Sequence, residues 1–464
     1  MESMNAIRSE IKDHLLSSGY TLTSFGHLSG MNRGSLSAIL HGSPPKPIAI
    51  RQLDIITETL GYPEGWFYHL YLDECFAGGK VSRRRLEPYL LRCAELGKRD
   101  CIDAAISKLL ETAKPLALLF EIGEKLYHQG KIKESALFYE AVAEMEKDSH
   151  SERLAISQYR LFMAHQGPDA EQNWRAVIRF EPFRRRLPEN YQLDAILKLA
   201  NVCFTLHKWK EVEKYADELR ALAQAVYREQ LQRKVREREP QVLGTERHLV
   251  VYYGQGYLLK TIALQKQELY DKAKKYVTGY ADLSWFEDLN EIGWMEVKKF
   301  RLWAQANAYT LEMLTGNISI LPEYCSFLLE HPGEILPGML TIIESANKYG
   351  FYADDIIEQI FQVIYDFNEQ DPIEVDRHFS LRYELAVYQF RKNQYAEGIS
   401  STLFALRLAL ILNNDRDVIQ CITLFEAYRA YASEQHKSEY QYMMEELRNK
   451  DKNNPFSTRH FRIV

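Results

Sequence analysis

From about Arg85 onward, apolar residues recur at three- and four-residue spacing in stretch after stretch, with short connectors and very little β-branched alternation. That period belongs to the amphipathic helix, so the bulk of the chain has to be helical. A helix cannot bury its own apolar stripe, and a series of such helices must cover each stripe with a neighbour. The expected fold class is therefore all-α. The clearest pair runs from Ala117 to Glu144: Leu119, Ile122, Gly123 and Leu126 line a first helix, Gly130 turns the chain, and Ile132, Ser135, Tyr139 and Val142 line a second.

Comparable pairs follow. Ile196, Leu199, Ala200 and Cys203 precede Trp209 and Val212; Tyr257, Thr261 and Leu264 precede Tyr270, Ala273 and Val277; Leu385, Ala386 and Phe390 precede Tyr395 and Gly398. Further pairs are expected over residues 303–329, 336–367 and 411–447. The pattern of small and large residues resembles that of tetratricopeptide units, which implies a right-handed solenoid with a concave face lined by the first helix of each pair. Two stretches break the rhythm. Residues 167–187, with Arg184, Arg185 and Arg186, read as a distorted repeat, and the mixed-charge run Arg228 to Glu239 reads as a solvated helix extension or a loop.

The first 70 residues have a different texture, with Gly and Pro punctuating short segments. Ile7, Ile11, Leu15 and Leu16 mark a first helix ended by Gly19. The Thr21-Leu22-Thr23 run supplies a hydroxyl cap for a second helix beginning near Ser24, with Phe25 and Leu28 facing inward and Gly26 at a close crossing. Gly30 permits a tight turn. Asn32 can cap a third helix, Arg33 to His41, whose Leu36, Ile39 and Leu40 point to the core and which Gly42 terminates. A fourth helix over residues 50–60 places Ile50, Leu53, Ile56 and Leu60 on one face.

The string from Thr21 to Gly42, followed by Leu53 to Gly61, resembles the XRE/Cro-type helix-turn-helix regulators. Gly26 and His27, and Leu40-His41, depart from the residues usual in that family. The resemblance implies that the first turn of the third helix enters the major groove of double-stranded DNA. Asn32, Arg33, Gly34 and Ser35 would lie nearest the bases, Arg33 as the candidate for bidentate contact with guanine. Thr23, Ser24, Ser37 and Lys46 would contact phosphates. The alternative is that Asn32 only caps and Arg33 is a surface charge. Residues 1–70 hold five Lys and Arg against six acids. A single head with that balance binds DNA weakly, and two heads in a homodimer are the expected remedy. Lys80, Arg83, Arg84 and Arg85 would add phosphate contacts or form a solvated linker.

A helix-turn-helix followed by degenerate helical repeats resembles the cytoplasmic peptide-pheromone receptors of Gram-positive bacteria and their phages, the arbitrium type included. The organisation this implies is a DNA-binding head over 1–70, a helical connector over 71–112, repeats over 113–448 and a polar tail over 449–464. Its implied ligand is a short signalling peptide on the concave face, acting by changing the geometry of a dimer. An extended peptide needs amides for its backbone and apolar walls for its side chains. Asn201, Gln255, Gln305, Asn307 and Asn347 are the candidate amides; Tyr253, Tyr257, Trp303 and Tyr388 are the candidate walls. Each has the alternative of an inter-helix amide or a core aromatic.

Charge and motif content narrow the remaining classes. With 58 Lys and Arg against 64 Asp and Glu, the chain is mildly acidic, and no apolar run approaches the ~20 residues that span a bilayer. A cytoplasmic location is the expectation. The six cysteines lie far apart and read as reduced, mostly buried thiols, and the histidines have no metal spacing. No cofactor, metal or catalytic motif is expected, so the chain reads as a non-enzyme. The competing class is a helical-repeat docking scaffold that sequesters a regulatory protein, its DNA-binding head weak or vestigial.

Overall fold

The computed structural model describes residues 3–76, 81–110, 115–167, 169–236, 244–287, 289–361, 372–412 and 414–452. Every regular element among them is helical, as the apolar period requires. The chain divides into two compact units, residues 1–188 and 189–464.

The first unit contains α1 (Ser3–Ser17), α2 (Leu22–Ser29), α3 (Arg33–His41), α4 (Ile50–Thr59), α5 (Tyr68–Cys75), α6 (Arg83–Glu95), α7 (Arg99–Leu109), α8 (Pro115–His128), α9 (Ile132–Met145), α10 (Glu152–Ala164) and α11 (Ala170–Phe180). One continuous apolar core runs from Ile7 and Ile11 through Phe25, Leu36 and Leu53 to Tyr71, Tyr89 and Ile102, and on to Leu119 and Val142. The expected helix pair over 117–144 is α8 and α9. A 3-10 turn over Glu181–Arg186 follows α11 and accounts for the broken rhythm there. Arg160 of α10 is buried; it donates to both carboxylate oxygens of Glu124 at 3.0 and 3.2 Å and lies 3.9 Å from the ring centre of Tyr127.

Two leucines depart from the expected inward stripes. Leu16 is 75% exposed and Leu28 is 59% exposed. In α1 the buried face is Ile7, Arg8, Ile11 and Leu15, and in the two-turn α2 it is Phe25 and Gly26. An eight-residue helix has room for one narrow buried stripe, and Leu28 falls outside it.

The second unit contains α12 (Glu189–Thr205), α13 (Trp209–Arg236), α14 (Leu249–Lys266), α15 (Tyr270–Ala281), α16 (Glu291–Leu314), α17 (Leu321–Glu330), α18 (Ile335–Tyr349), α19 (Asp354–Phe361), α20 (Pro372–Arg391), α21 (Tyr395–Ile411), α22 (Asp415–Tyr428) and α23 (Glu434–Lys452). From α12 to α16 each helix packs on the next, and α14 also touches α12 and α16. This is the neighbour-on-neighbour packing of a helical repeat. Glycine makes one close crossing possible: a Cβ on Gly254 of α14 would sit 2.5 Å from the buried Phe300 ring of α16.

The mixed-charge run after Arg228 continues α13 as helix to Arg236, giving it 28 residues against 17 in α12. Residues 237–239 of that run lie outside the described residues, as do Lys80, residues 362–367 of one expected pair, and Phe456 and 461–464 of the polar tail. The helix α23 carries on to Lys452, past the expected start of that tail. None of the six cysteines forms a disulfide, and five of them are buried.

Candidate nucleic-acid interface and ligand cleft

The interface of the head is built from local capping. The Thr21 hydroxyl accepts from Ser24 N at 3.1 Å while the Ser24 hydroxyl accepts from Thr21 N at 2.9 Å, a reciprocal cap that fixes the start of α2. Gly30 ends α2 at a φ of +68°, a conformation open to glycine at no steric cost. Asn32 then caps α3, its Oδ1 accepting from Gly34 N at 2.7 Å and Ser35 N at 3.3 Å. Gly42 ends α3 in extended backbone, with φ −61°, and not in the left-handed turn expected of a terminal glycine. Glycine is required there for space, because a Cβ would lie 2.5 Å from the Ala38 carbonyl oxygen.

Around this frame Thr23, Ser24, Asn32, Arg33, Gly34 and Lys46 are exposed, while Ser35 and Ser37 are partly buried. Arg33 and Lys46 make no side-chain hydrogen bond or ion pair among the described residues, so their charges are available to a partner. Ser24 and Asn32 are partly committed: the serine hydroxyl belongs to the cap of α2, and the Asn32 carbonyl to the cap of α3. For a phosphate or base, Asn32 has its amide nitrogen left to donate.

One residue escaped the sequence reading. Arg8, counted there among the cations of the head, is buried against Glu74 of α5, itself fully buried. Its Nε donates to the Ile39 carbonyl at 2.9 Å, and its Nη2 donates to the Lys46 carbonyl at 3.1 Å and to Glu74 Oε2 at 3.2 Å. Glu74 Oε2 also accepts from Ile48 N at 3.2 Å, and the Tyr71 hydroxyl donates to the Ile48 carbonyl at 2.8 Å. The C-terminal end of α3 and the loop after it are thereby tied to α5. Among the basic residues after the head, Arg83 is paired with Glu87 and Glu121, and Arg84 is exposed.

In the second unit the nine expected peptide contacts fall in separate places. Asn201 and Gln305 are exposed and Gln255 is partly buried. Asn307 donates to the Tyr280 hydroxyl at 2.8 Å, an inter-helix bond. Tyr388 is 1% exposed and its hydroxyl accepts from Ala353 N at 2.9 Å, which makes it a core residue. Trp303 stands edge-on to Phe300. Tyr253 and Tyr257 do come together, rings 5.3 Å apart, with Trp285 and Phe286 against Tyr253 and the Arg220 guanidinium 4.9 Å over Tyr257.

Asn347 joins a carboxylate pair. Its Nδ2 donates to the Glu384 carbonyl at 2.9 Å and to Glu384 Oε2 at 2.8 Å, while its Oδ1 is buried without a hydrogen-bond partner. Burial pushes the Glu384 carboxyl above its ordinary value, against the opposing Asn347 bond and Lys266 charge. Burial likewise raises Glu344, with Lys266 opposing and Glu384 reinforcing the shift. A carboxyl with a raised folded pKa binds its proton more readily in the folded state. It therefore costs stability at neutral pH, and the cost is relieved as pH falls from the folded value toward the ordinary 4.5. Glu344→Gln is expected to melt higher than the parent at pH 7, with the gap closing at pH 5. A lower melting point at pH 7 would refute this account of Glu344.

One concavity of the second unit was not anticipated. A cleft of about 660 Å³ opens between the last two turns of α13, the segment before α14, and the loop and first turn of α16. Leu249, Val251 and Phe286 are buried in its floor, and Tyr227, Arg247 and Glu287 stand at its sides. The Tyr227 hydroxyl accepts from Glu287 N at 2.9 Å and so pins the α15–α16 loop to α13. Asp194 braces the second side by accepting from Glu246 N at 3.2 Å and from the Tyr252 hydroxyl. Among the described residues no group of three His, Cys, Asp or Glu is placed to hold a metal ion. No family model matches the chain, and no curated protein matches it.

Proposed function

We propose that the chain is a DNA-binding transcriptional regulator of the peptide-receptor type, acting in the cytoplasm as a homodimer on a double-stranded operator, with its helical repeats holding a short signalling peptide. The observation that carries this reading is Arg33. It is the first residue of a helix capped by Asn32, it is exposed, and it has no partner among the described residues. A guanidinium so placed is suited to the O6 and N7 atoms of a guanine in the major groove. Thr23 and Lys46, also exposed, suit the flanking phosphates. No helix among the described residues is long and apolar enough to cross a membrane.

The test is a gel-shift titration with DNA flanking the gene, using the parent and two variants. Arg33→Ala is expected to weaken binding by roughly 5- to 150-fold and to relax preference at one base position, on the scale of one bidentate contact. Lys46→Ala is expected to weaken binding evenly across sequences and to flatten its salt dependence. DNA binding that ignores Arg33→Ala would remove this reading of α3.

Arg8 favours the second reading, a protein-docking scaffold. With Arg8 spent inside the fold, the surface of the head is less cationic than its sequence suggests, and electrostatic attraction to DNA falls accordingly. Capture of a folded regulatory protein by the repeats, with no DNA binding at any salt concentration, would establish the scaffold instead.

A further inference from the structure

We propose that the cleft between α13, α14 and α16 is a binding site for a short amphipathic peptide with both termini free, carboxylate toward Arg247 and ammonium toward Glu287. The proposal rests on the reading of the repeats as a peptide-holding body and moves the site away from the amides first considered. None of the nine expected contacts lines this cleft.

Size comes first. A volume of about 660 Å³ sits in the middle of the range that encloses drug-sized ligands, enough for a few residues and too small for a folded partner. The floor is apolar: Leu249, Val251 and Phe286 are buried, while Ile292 at the rim is 62% exposed and has apolar surface left to cover. A ligand with apolar side chains gains by burying that surface.

Charge then selects the ends of the ligand. Most charged groups around the cleft are already engaged. Arg233 pairs with Glu229, Glu246 lies 4.0 Å from Lys198, Glu296 lies 2.7 Å from Lys299, and Lys234 is held within the chain. Arg247 and Glu287 are exposed and have no side-chain hydrogen bond or ion pair among the described residues. One cation and one anion, carried on separate segments above an apolar floor, match a zwitterion with an apolar middle. Arg247 stands two residues before the first residue of α14, where the positive end of the helix dipole adds to its pull on a carboxylate. The α14 and α16 caps are already filled, by His248 accepting from Val250 N at 3.2 Å and Asn290 accepting from Gly293 N at 2.8 Å. The charged side chains are left to orient the ligand.

The cleft owes its depth to the overlength of α13. The last turns of that helix, from Tyr227 onward, pass beyond α12 and stand as a wall. Trp285, half exposed and 5.7 Å from the Tyr227 ring, is a built-in reporter.

The experiment uses the full chain, no DNA, and two synthetic pentapeptide pools with Leu, Ile or Phe at the inner positions. One pool has free termini; the other is acetylated and amidated. The free pool is expected to raise the melting point and to change tryptophan emission, with the emission change absent in Trp285→Phe. The capped pool is expected to bind at least tenfold more weakly. Arg247→Ala and Glu287→Ala should each weaken the free pool at least tenfold, and, both residues being exposed, leave the unliganded melting point in place. Failure of the free pool to bind, equal binding of the two pools, or binding unchanged in Arg247→Ala and Glu287→Ala overturns the proposal. Since DNA takes no part in the assay, a negative result leaves the Arg33 test standing, and peptide binding weakened by Asn201→Ala or Gln305→Ala but not by Arg247→Ala would return the site to the first-considered amides.

Discussion

Glu74→Gln is expected to cost the first unit about 3–5 kcal/mol, the penalty for leaving a buried charge without its partner. Arg8 cannot escape by losing its proton, because a guanidinium stays charged in proteins. Glutamine keeps an acceptor for Ile48 N, so the hydrogen bond survives while the counter-charge does not. What remains is a buried cation that faces the Ile39 and Lys46 carbonyls and no carboxylate. Denaturant unfolding of the parent and the variant measures the loss. The double variant Arg8→Met, Glu74→Leu is expected to recover most of it, since replacing both members with apolar side chains removes the uncompensated charge. A loss below about 1 kcal/mol for Glu74→Gln would mean that water reaches Arg8 and that the pair is a surface one in energetic terms.

The second large effect is expected in the other unit, at the crossing of α14 and α16. Phe300 is fully buried and its ring lies in the notch left by Gly254, with Tyr280 and Trp303 edge-on around it. Phe300→Ala is expected to cost about 3–5 kcal/mol, the sum of lost transfer energy and a cavity that flanking helices cannot close. Gly254→Ala attacks the same contact from the other side. A Cβ 2.5 Å from the ring forces a shift costing about 1–3 kcal/mol, offset by up to about 1 kcal/mol of improved helix propensity. The two sites share one contact, so their effects must couple. In Gly254→Ala, Phe300→Leu the smaller side chain makes room for the methyl, and a double-mutant cycle is expected to show a favourable interaction term. Strict additivity would place the strain elsewhere.

What could be read from the sequence was whatever is decided within a few residues. The caps Thr21 and Asn32, the turn at Gly30 and the bounds Arg33 to His41 are local, and they appear where hydroxyl, amide and glycine chemistry put them. Helix pairing in the repeats was legible for the same reason, because period and connector length fix which faces are apolar. Long-range consequences were not legible. Arg8 and Glu74 are separated by 66 positions, and neither has a neighbour in sequence that announces burial. Tyr388 sits at a position where an aromatic serves a ligand pocket or a core equally well, and only its bond to Ala353 N decides for the core. The cleft depends on how far α13 overshoots, on the loop before α16 and on the segment before α14 at once. A mixed-charge stretch with one leucine and one valine gave no sign of it.

The continuous core of the first unit bears on how such a chain can be rearranged in evolution or by engineering. A polypeptide severed after residue 70 would keep Arg8 and discard Glu74, and would strip Tyr71 and Cys75 from the interior that supports α3. Its α3 would keep its sequence and lose its foundation. The head is therefore no interchangeable cassette, and a chimera that grafts it onto another body has to carry α5 along.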